Sequence, residues 1–132
     1  MKIMFWLRSQ RGQAVVEFAL ILPILLLLVF GIIEFGRIFY SYLEVTQAAR
    51  EGARLGAVGG SDQEIVALVR DVAVGLDDER IQVKIEPLEE QRSRGDSLRV
   101  EVSYHLPLVV PIITELLPNP FPLTAVATMR VE

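Results

Sequence analysis

Residues 14–33 form an apolar run interrupted by a single charged side chain, Glu17. Placing a carboxylate in hydrocarbon costs roughly 2.5–3.5 kcal/mol on insertion scales, so this acid calls for a partner or for a way out to water. At the mouth of a helix it can neutralise a cation, or it can reach the headgroups or take up a proton. The other candidate groups are weaker. His105 is the only histidine, and the alternation around it places it on a polar strand face, solvated or facing a partner. Asp77, Asp78 and Glu79 suggest a hard cation, but lack the spacing and glycine of a calcium loop and read more simply as a helix-to-strand linker. There is no cysteine, hence no disulfide framework and no thiolate chemistry. No nucleophile elbow, P-loop or dinucleotide fingerprint is present, so neither enzymatic activity nor a cofactor or metal is expected.

The elements that must carry these groups begin with the run itself. It is about 20 residues, or about 30 Å as a helix, enough to cross a bilayer core. Lys2, Arg8 and Arg11 precede it with no acid among them, so the positive-inside rule places the N-terminus in the cytoplasm and the rest outside. An ordinary signal peptide has a shorter apolar region and a small-residue cleavage motif; here "EFGRIFYSYLE" follows, and the span is expected to stay attached. The chain of 132 residues has net charge −4, and loss of the basic leader makes the remainder more acidic, which excludes an electrostatic footprint for nucleic acid.

Helix-compatible residues continue beyond the span, so one helix is expected from about Gln13 to about Val58, loosened at Pro23. Within it, Ala48, Gly52 and Gly56 stand at i, i+4 and i+8, with Ala49, Ala53 and Ala57 beside them. This ladder of small residues admits a close neighbour, either the protein's own sheet or another backbone. Gly59 and Gly60 end the helix. Ser61 and Glu64 form a capping box, and Ile65, Leu68, Val69, Val72 and Leu76 give the next helix one apolar face, with Gly75 near its end.

From Ile81 the apolar period becomes two. Strands are expected around 81–86, 98–106 and 123–131, joined by a charged loop with a turn at Gly95–Asp96 and by the apolar, proline-broken "PLVVPIITELLPNPFP", which permits a short helix after Pro111. Residues 106–117 either fold as a satellite core or expose an apolar surface for a partner or for membrane contact. The expected fold is α+β: a long N-terminal transmembrane helix as a stalk, then a second helix packed on a three-stranded antiparallel sheet.

The stretch "RGQAVVEFALILPILLLLVFGIIEFGRIFYSYLEVTQAAREGAR" resembles the TadE family of pseudopilins from tight-adherence (Flp) pilus assembly systems. The resemblance is carried by Arg11–Gly12, Ala14, Glu17–Phe18–Ala19–Leu20, Pro23, Glu34–Phe35–Gly36–Arg37 and Ala48–Ala49–Arg50–Glu51–Gly52–Ala53–Arg54. It implies three parts: a basic prepilin-type leader (1–12), a transmembrane helix (13–37) and an extracytoplasmic domain continuous with it (38–132). It also implies cleavage between Gly12 and Gln13 by a prepilin peptidase, and a role for Glu17 and Phe18 in assembly. The partners implied are pilins, other minor pseudopilins and inner-membrane pilus assembly proteins, in an oligomer or filament at the bacterial cytoplasmic membrane. Major pilins of these systems are much shorter, so the added outer domain fits a minor pseudopilin. The charge chemistry agrees: a new α-amine at Gln13, with an ordinary pKa of about 7.7–8.0, would meet the carboxylate one turn up the helix or that of a neighbouring subunit. Glu34 and Arg37, at i and i+3, are expected to form a local pair at the outer interface. The alternative function is an unprocessed, signal-anchored extracytoplasmic module that binds a ligand or an envelope protein.

Overall fold

A single helix, α1, runs from Lys2 to Ala57 in the computed structural model, which describes residues 2–132 and, for side chains, residues from Gln10 onward. Met1 and the Lys2 and Arg8 side chains of the basic leader lie outside the described residues. The helix starts well before the expected Gln13. Nothing between residues 2 and 11 breaks a helix, and a lone glycine at position 12 costs about 1 kcal/mol, too little to stop one already propagating. It also continues through Pro23.

The two halves of α1 meet different surroundings. No residue of its most apolar stretch is buried, as expected of a helix whose contacts are lipid rather than its own domain. Beyond it, one face turns inward: Glu34, Ser41, Val45, Ala48, Ala49, Ala53 and Ala57 are buried, mostly at intervals of three, four and seven residues, with the adjacent Ala48 and Ala49 widening the face. The helix ends in a Schellman motif. Gly60 N–H donates to the Leu55 carbonyl (3.0 Å) and Gly59 N–H to that of Gly56 (3.2 Å). Gly59 takes φ +97°, a left-handed conformation that a side chain would oppose.

Helix α2 (Asp62–Val72) follows at once. Glu64 N–H donates to Ser61 Oγ (3.2 Å) and Ser61 N–H to the Glu64 carboxylate (2.8 Å), completing the capping box. Ile65, Val69 and Ala73 form its buried edge, with Val66, Val72 and Leu76 partly covered beside them. Leu68 is only half-buried, at the rim. Gly75 lies beyond the C-cap residue Ala73 and serves a different purpose from helix termination. A Cβ there would come within 2.6 Å of the Tyr40 hydroxyl, so its bareness lets the turn after α2 lean on α1.

Strands β1 (Ile81–Glu86), β2 (Ser97–Leu106) and β3 (Phe121–Arg130) form an antiparallel meander with β2 in the centre. Tyr104 lies opposite Ile81 and Leu123, Val102 opposite Val83 and Ala125, and Val100 opposite Ile85 and Ala127, giving the inward face. Helices α1 and α2 cover that face. The other face is open and polar, with Lys84 opposite Glu101, Glu86 opposite Arg99, and Ser103 opposite Thr124. Lys84 Nζ also bonds the Glu86 carboxylate at 2.9 Å, which raises the ammonium and lowers the carboxyl from their ordinary pKa values. These charges on β1 discourage edge-to-edge pairing. Val126 breaks the polar pattern of the open face and is exposed. The proline-broken connection folds a short helix, α3 (Pro111–Leu116), with proline in its first turn.

The ladder of small residues faces the protein's own core. A Cβ on Gly52 would lie 2.9 Å from Val69 Cγ2, 3.3 Å from Ile65 Cγ2 and 3.4 Å from Val100 Cγ1. Gly56 is closer still to Leu98 and Ile65. Both α2 and β2 therefore pack against bare backbone at these turns. Gly52→Leu should destabilise the detergent-solubilised chain by about 1–3 kcal/mol through overpacking, read as a lower chemical-denaturation midpoint by near-ultraviolet circular dichroism. A midpoint equal to the parent's would mean that these contacts loosen without penalty.

Candidate functional site

The residues singled out by sequence fall into two groups that α1 keeps apart. Gly12, Gln13, Glu17 and Phe18 lie on the bare part of the helix, whereas Ala48, Gly52 and Gly56 are in the core. At 1.5 Å per residue, Gly12 and Ala48 are about 54 Å apart along the axis. In the first group, a Cβ on Gly12 would meet nothing within 4 Å, and Phe18 is exposed. Gln13 and Glu17 share a helix face, and Gln13 Nε2 donates to the Glu17 carboxylate at 3.0 Å. The position where the α-amine would arise after cleavage is thus one helical turn from the acid.

Between the groups stands a polar cluster built on the Glu34–Arg37 pair. Glu34 is 1% exposed, although it directly follows the apolar run. Arg37 Nη1 donates to its Oε1 at 3.0 Å, and the Val109 N–H donates to the same oxygen at 3.3 Å. Arg37 Nη2 donates to the Pro107 carbonyl, also at 3.3 Å. The expected local pair is therefore a strap that holds the β2–α3 connection against the top of the span. Burying a carboxylate is tolerable only with such partners, since an unpaired buried charge is strongly destabilising. The sequence signal was the Glu-x-x-Arg spacing; its partners, seventy or more positions away, come only from tertiary packing.

A second polar hub lies at the opposite end of the domain and escaped the sequence reading. The Arg92 side chain is 5% exposed and bonds the Asp62 carboxylate, the Gly60 carbonyl (3.0 Å) and the Pro87 carbonyl (3.4 Å). Asp62 and Glu89 each accept the other's backbone N–H, at 3.1 and 3.2 Å. The turn between α1 and α2 is thereby tied to the β1–β2 loop. In sequence, Arg92 is one charge among many in "EPLEEQRSRGDS", and nothing there marks it as buried.

The remaining candidates resolve as structural detail. Asp77 caps a 3-10 turn by accepting from Glu79 N–H, pairs with Arg80, and donates its own N–H to the Tyr104 hydroxyl. The Asp78 carbonyl accepts from Arg70. His105 is half-buried on β2, opposite Pro122. Among the described residues, no three His, Cys, Asp or Glu side chains are gathered as a metal site. A cleft of about 160 Å³ lies between Arg37, Tyr40, Gly75 and Tyr104, without a nucleophile and base placed together.

These features define a class: an α+β domain carried on the same helix that anchors it to a membrane by one apolar span. One stretch of the chain is similar to a known family. Residues 12–54 match the family model TadE, described as TadE-like protein, the family indicated by the motifs above. The match begins at Gly12 and takes in Glu17, Pro23, the Glu34–Arg37 strap and the first turns of the ladder. No curated protein and no solved structure matches the chain.

The strap has a measurable consequence. Glu34→Ala leaves Arg37 and the Val109 N–H without their shared acceptor and should destabilise the domain by about 1–3 kcal/mol. Limited proteolysis should then cut first within residues 107–120. Unchanged stability and an unchanged cleavage pattern would show that the strap contributes nothing to holding this connection.

Proposed function

We propose that this chain is a minor pseudopilin that acts in assembly of a tight-adherence (Flp) type IV pilus or a related secretion apparatus, and that it catalyses no reaction. In this reading it inserts into the bacterial cytoplasmic membrane with its N-terminus inside. A prepilin peptidase removes the leader after Gly12, and the outer domain meets pilins, other minor pseudopilins or inner-membrane assembly proteins. The observation that carries the reading is the family match over residues 12–54, which coincides with the bare apolar part of α1 and its continuation into the domain. Two further features support it. The surroundings of Gly12 are open, and past the span α1 leaves Phe35, Phe39, Tyr42 and Leu43 exposed at helical spacing, a stripe suited to another helix.

Gly12 also has a physical role in such a reaction. Its bond to Gln13 lies inside α1, so a peptidase must unwind the helix locally, and glycine lowers that cost by about 1 kcal/mol relative to alanine. Gly12→Val, which adds bulk and a stiffer helical residue, should leave the full-length precursor in the membrane. Mass spectrometry of the extracted protein reads this directly. A mature N-terminus at Gln13 in the parent supports the assigned site, whereas an intact Met1 in the parent supports the unprocessed anchor. Normal shortening of the valine variant would move the cleavage site elsewhere.

Glu17 then separates processing from assembly. After cleavage its carboxylate attracts an α-amine, its own or a neighbour's, in a medium of low dielectric where the attraction is stronger than in water. Glu17→Gln keeps the shape and removes the charge. It should insert and be cleaved, yet co-purify poorly with pilus partners after crosslinking. Partner recovery equal to the parent's would leave the carboxylate as a headgroup-level acid with no part in assembly.

A further inference from the structure

We infer that the β2–β3 connection, centred on α3, is a membrane-seated foot whose Ile112 and Leu116 side chains enter the outer-leaflet interface beside the span. This rests on the reading that residues 14–33 cross the bilayer. Position is the first argument. Val109 N–H donates to Glu34 Oε1 at 3.3 Å, and Arg37 donates to the Pro107 carbonyl, so the chain entering α3 is fixed one to four residues past the end of the apolar run. The far end of the domain is equally fixed. Glu132 N–H donates to the Ala57 carbonyl at 2.9 Å, at the other end of α1, so β3 spans the domain and its N-terminal end shares the membrane side with α3.

Chemistry is the second argument. Ile112 and Leu116 lie at i and i+4, hence on one face of α3, and are 53% and 77% exposed; Val109, at the strap, is 69% exposed. Ile113 and Leu108 turn inward instead, and Asn119 Oδ1 accepts the Leu108 N–H (3.1 Å), closing the connection on itself. The connection is therefore ordered and still leaves an apolar face uncovered. Glu115 is the only charged residue between 106 and 120. By contrast, the loop at the far end, between β1 and β2, carries Glu89, Glu90, Arg92, Arg94 and Asp96. The connection centred on α3 is thus apolar where the far loop is charged. The exposed linker Asp77, Asp78, Glu79 and Arg80 also lies on the span's side of the domain, but it enters β1 at Ile81, opposite Tyr104 and about 7 Å back along β2 from Leu106, where its charges can remain in water. An apolar face held at the end of a span is continuous with the lipid-facing surface of that span. Such faces seat about 5–10 Å into the headgroup–acyl boundary.

The chain has no cysteine, so single-cysteine variants report one position each. The full chain is reconstituted in phosphatidylcholine–phosphatidylglycerol vesicles with a bimane label at Ile112→Cys, Leu116→Cys, Ile24→Cys or Val126→Cys. Emission is compared between ordinary and acyl-brominated lipids. Ile24 is in the span and Val126 is an exposed apolar position on the open sheet face, so they calibrate lipid and water. The expected result is strong loss of emission at positions 24, 112 and 116 and none at 126. Quenching at 24 with positions 112 and 116 behaving like 126 overturns the foot and leaves the span standing. Absence of quenching at 24 overturns the span and the foot together. Shielding of 112 and 116 that arises only in native membranes containing the assembly proteins, and not in pure vesicles, overturns the lipid assignment in favour of a protein partner.

Discussion

The close approach of α2 and β2 to the bare backbone of α1 at Gly52 and Gly56 is the contact from which the rest of the domain follows. Ile65, Val69, Leu98 and Val100 occupy the space that side chains would otherwise fill, and Ala48, Ala49 and Ala53 extend the same thin face. An interior close-packed like this transmits any change in volume, so these turns fix the distance between helix and sheet. A helix with larger residues there would stand further out and uncover the central strand. The domain has no disulfide to compensate. Its stability depends on this one face of a helix whose other half is given over to the membrane.

Two polar straps complete that contact at its ends. Near the span, Glu34 and Arg37 hold the β2–α3 connection; at the far end, Arg92 with Asp62 and Glu89 holds the α1–α2 turn to the β1–β2 loop. Each joins segments distant in sequence around one buried charge, Glu34 in the first and Arg92 in the second, that bonds both an opposite charge and the backbone of a distant segment, the condition under which buried charge is tolerated. Because α1 is continuous, the first strap also sets the height of the domain above the apolar run. The pose of the domain relative to the apolar run is thus built into the fold rather than left to a flexible linker.

Much of the architecture was legible because each element carries a local signature. The change of apolar period at Ile81, the capping box at Ser61 and Glu64, and proline at the head of α3 all depend on neighbours within a few residues. The resemblance to the TadE-like family, too, was legible, since its motifs lie in one continuous stretch, and residues 12–54 match that family's model. The start of α1 was misplaced, since no helix breaker stands between residue 2 and the apolar run, and the lone glycine at position 12 does not stop a helix. Gly75 looked like a helix terminator and proved to be a contact surface for Tyr40, because a bare residue serves either purpose and only the neighbour distinguishes them.

What the sequence by itself determined is whatever short-range chemistry decides: an apolar span, two helices with their caps, three alternating strands, and an acid five residues after a glycine. Tertiary structure alone decided which way the small-residue ladder faces, which of the many charged residues are buried, and where the apolar connection lies relative to the span. A ladder of small residues is equally suited to its own sheet or a foreign helix, and Arg92 is chemically the same as Arg94 until the chain folds. The reason is common to all three. Burial is a relation between segments far apart in sequence, and it comes into being only when the strands pair and α1 closes over them.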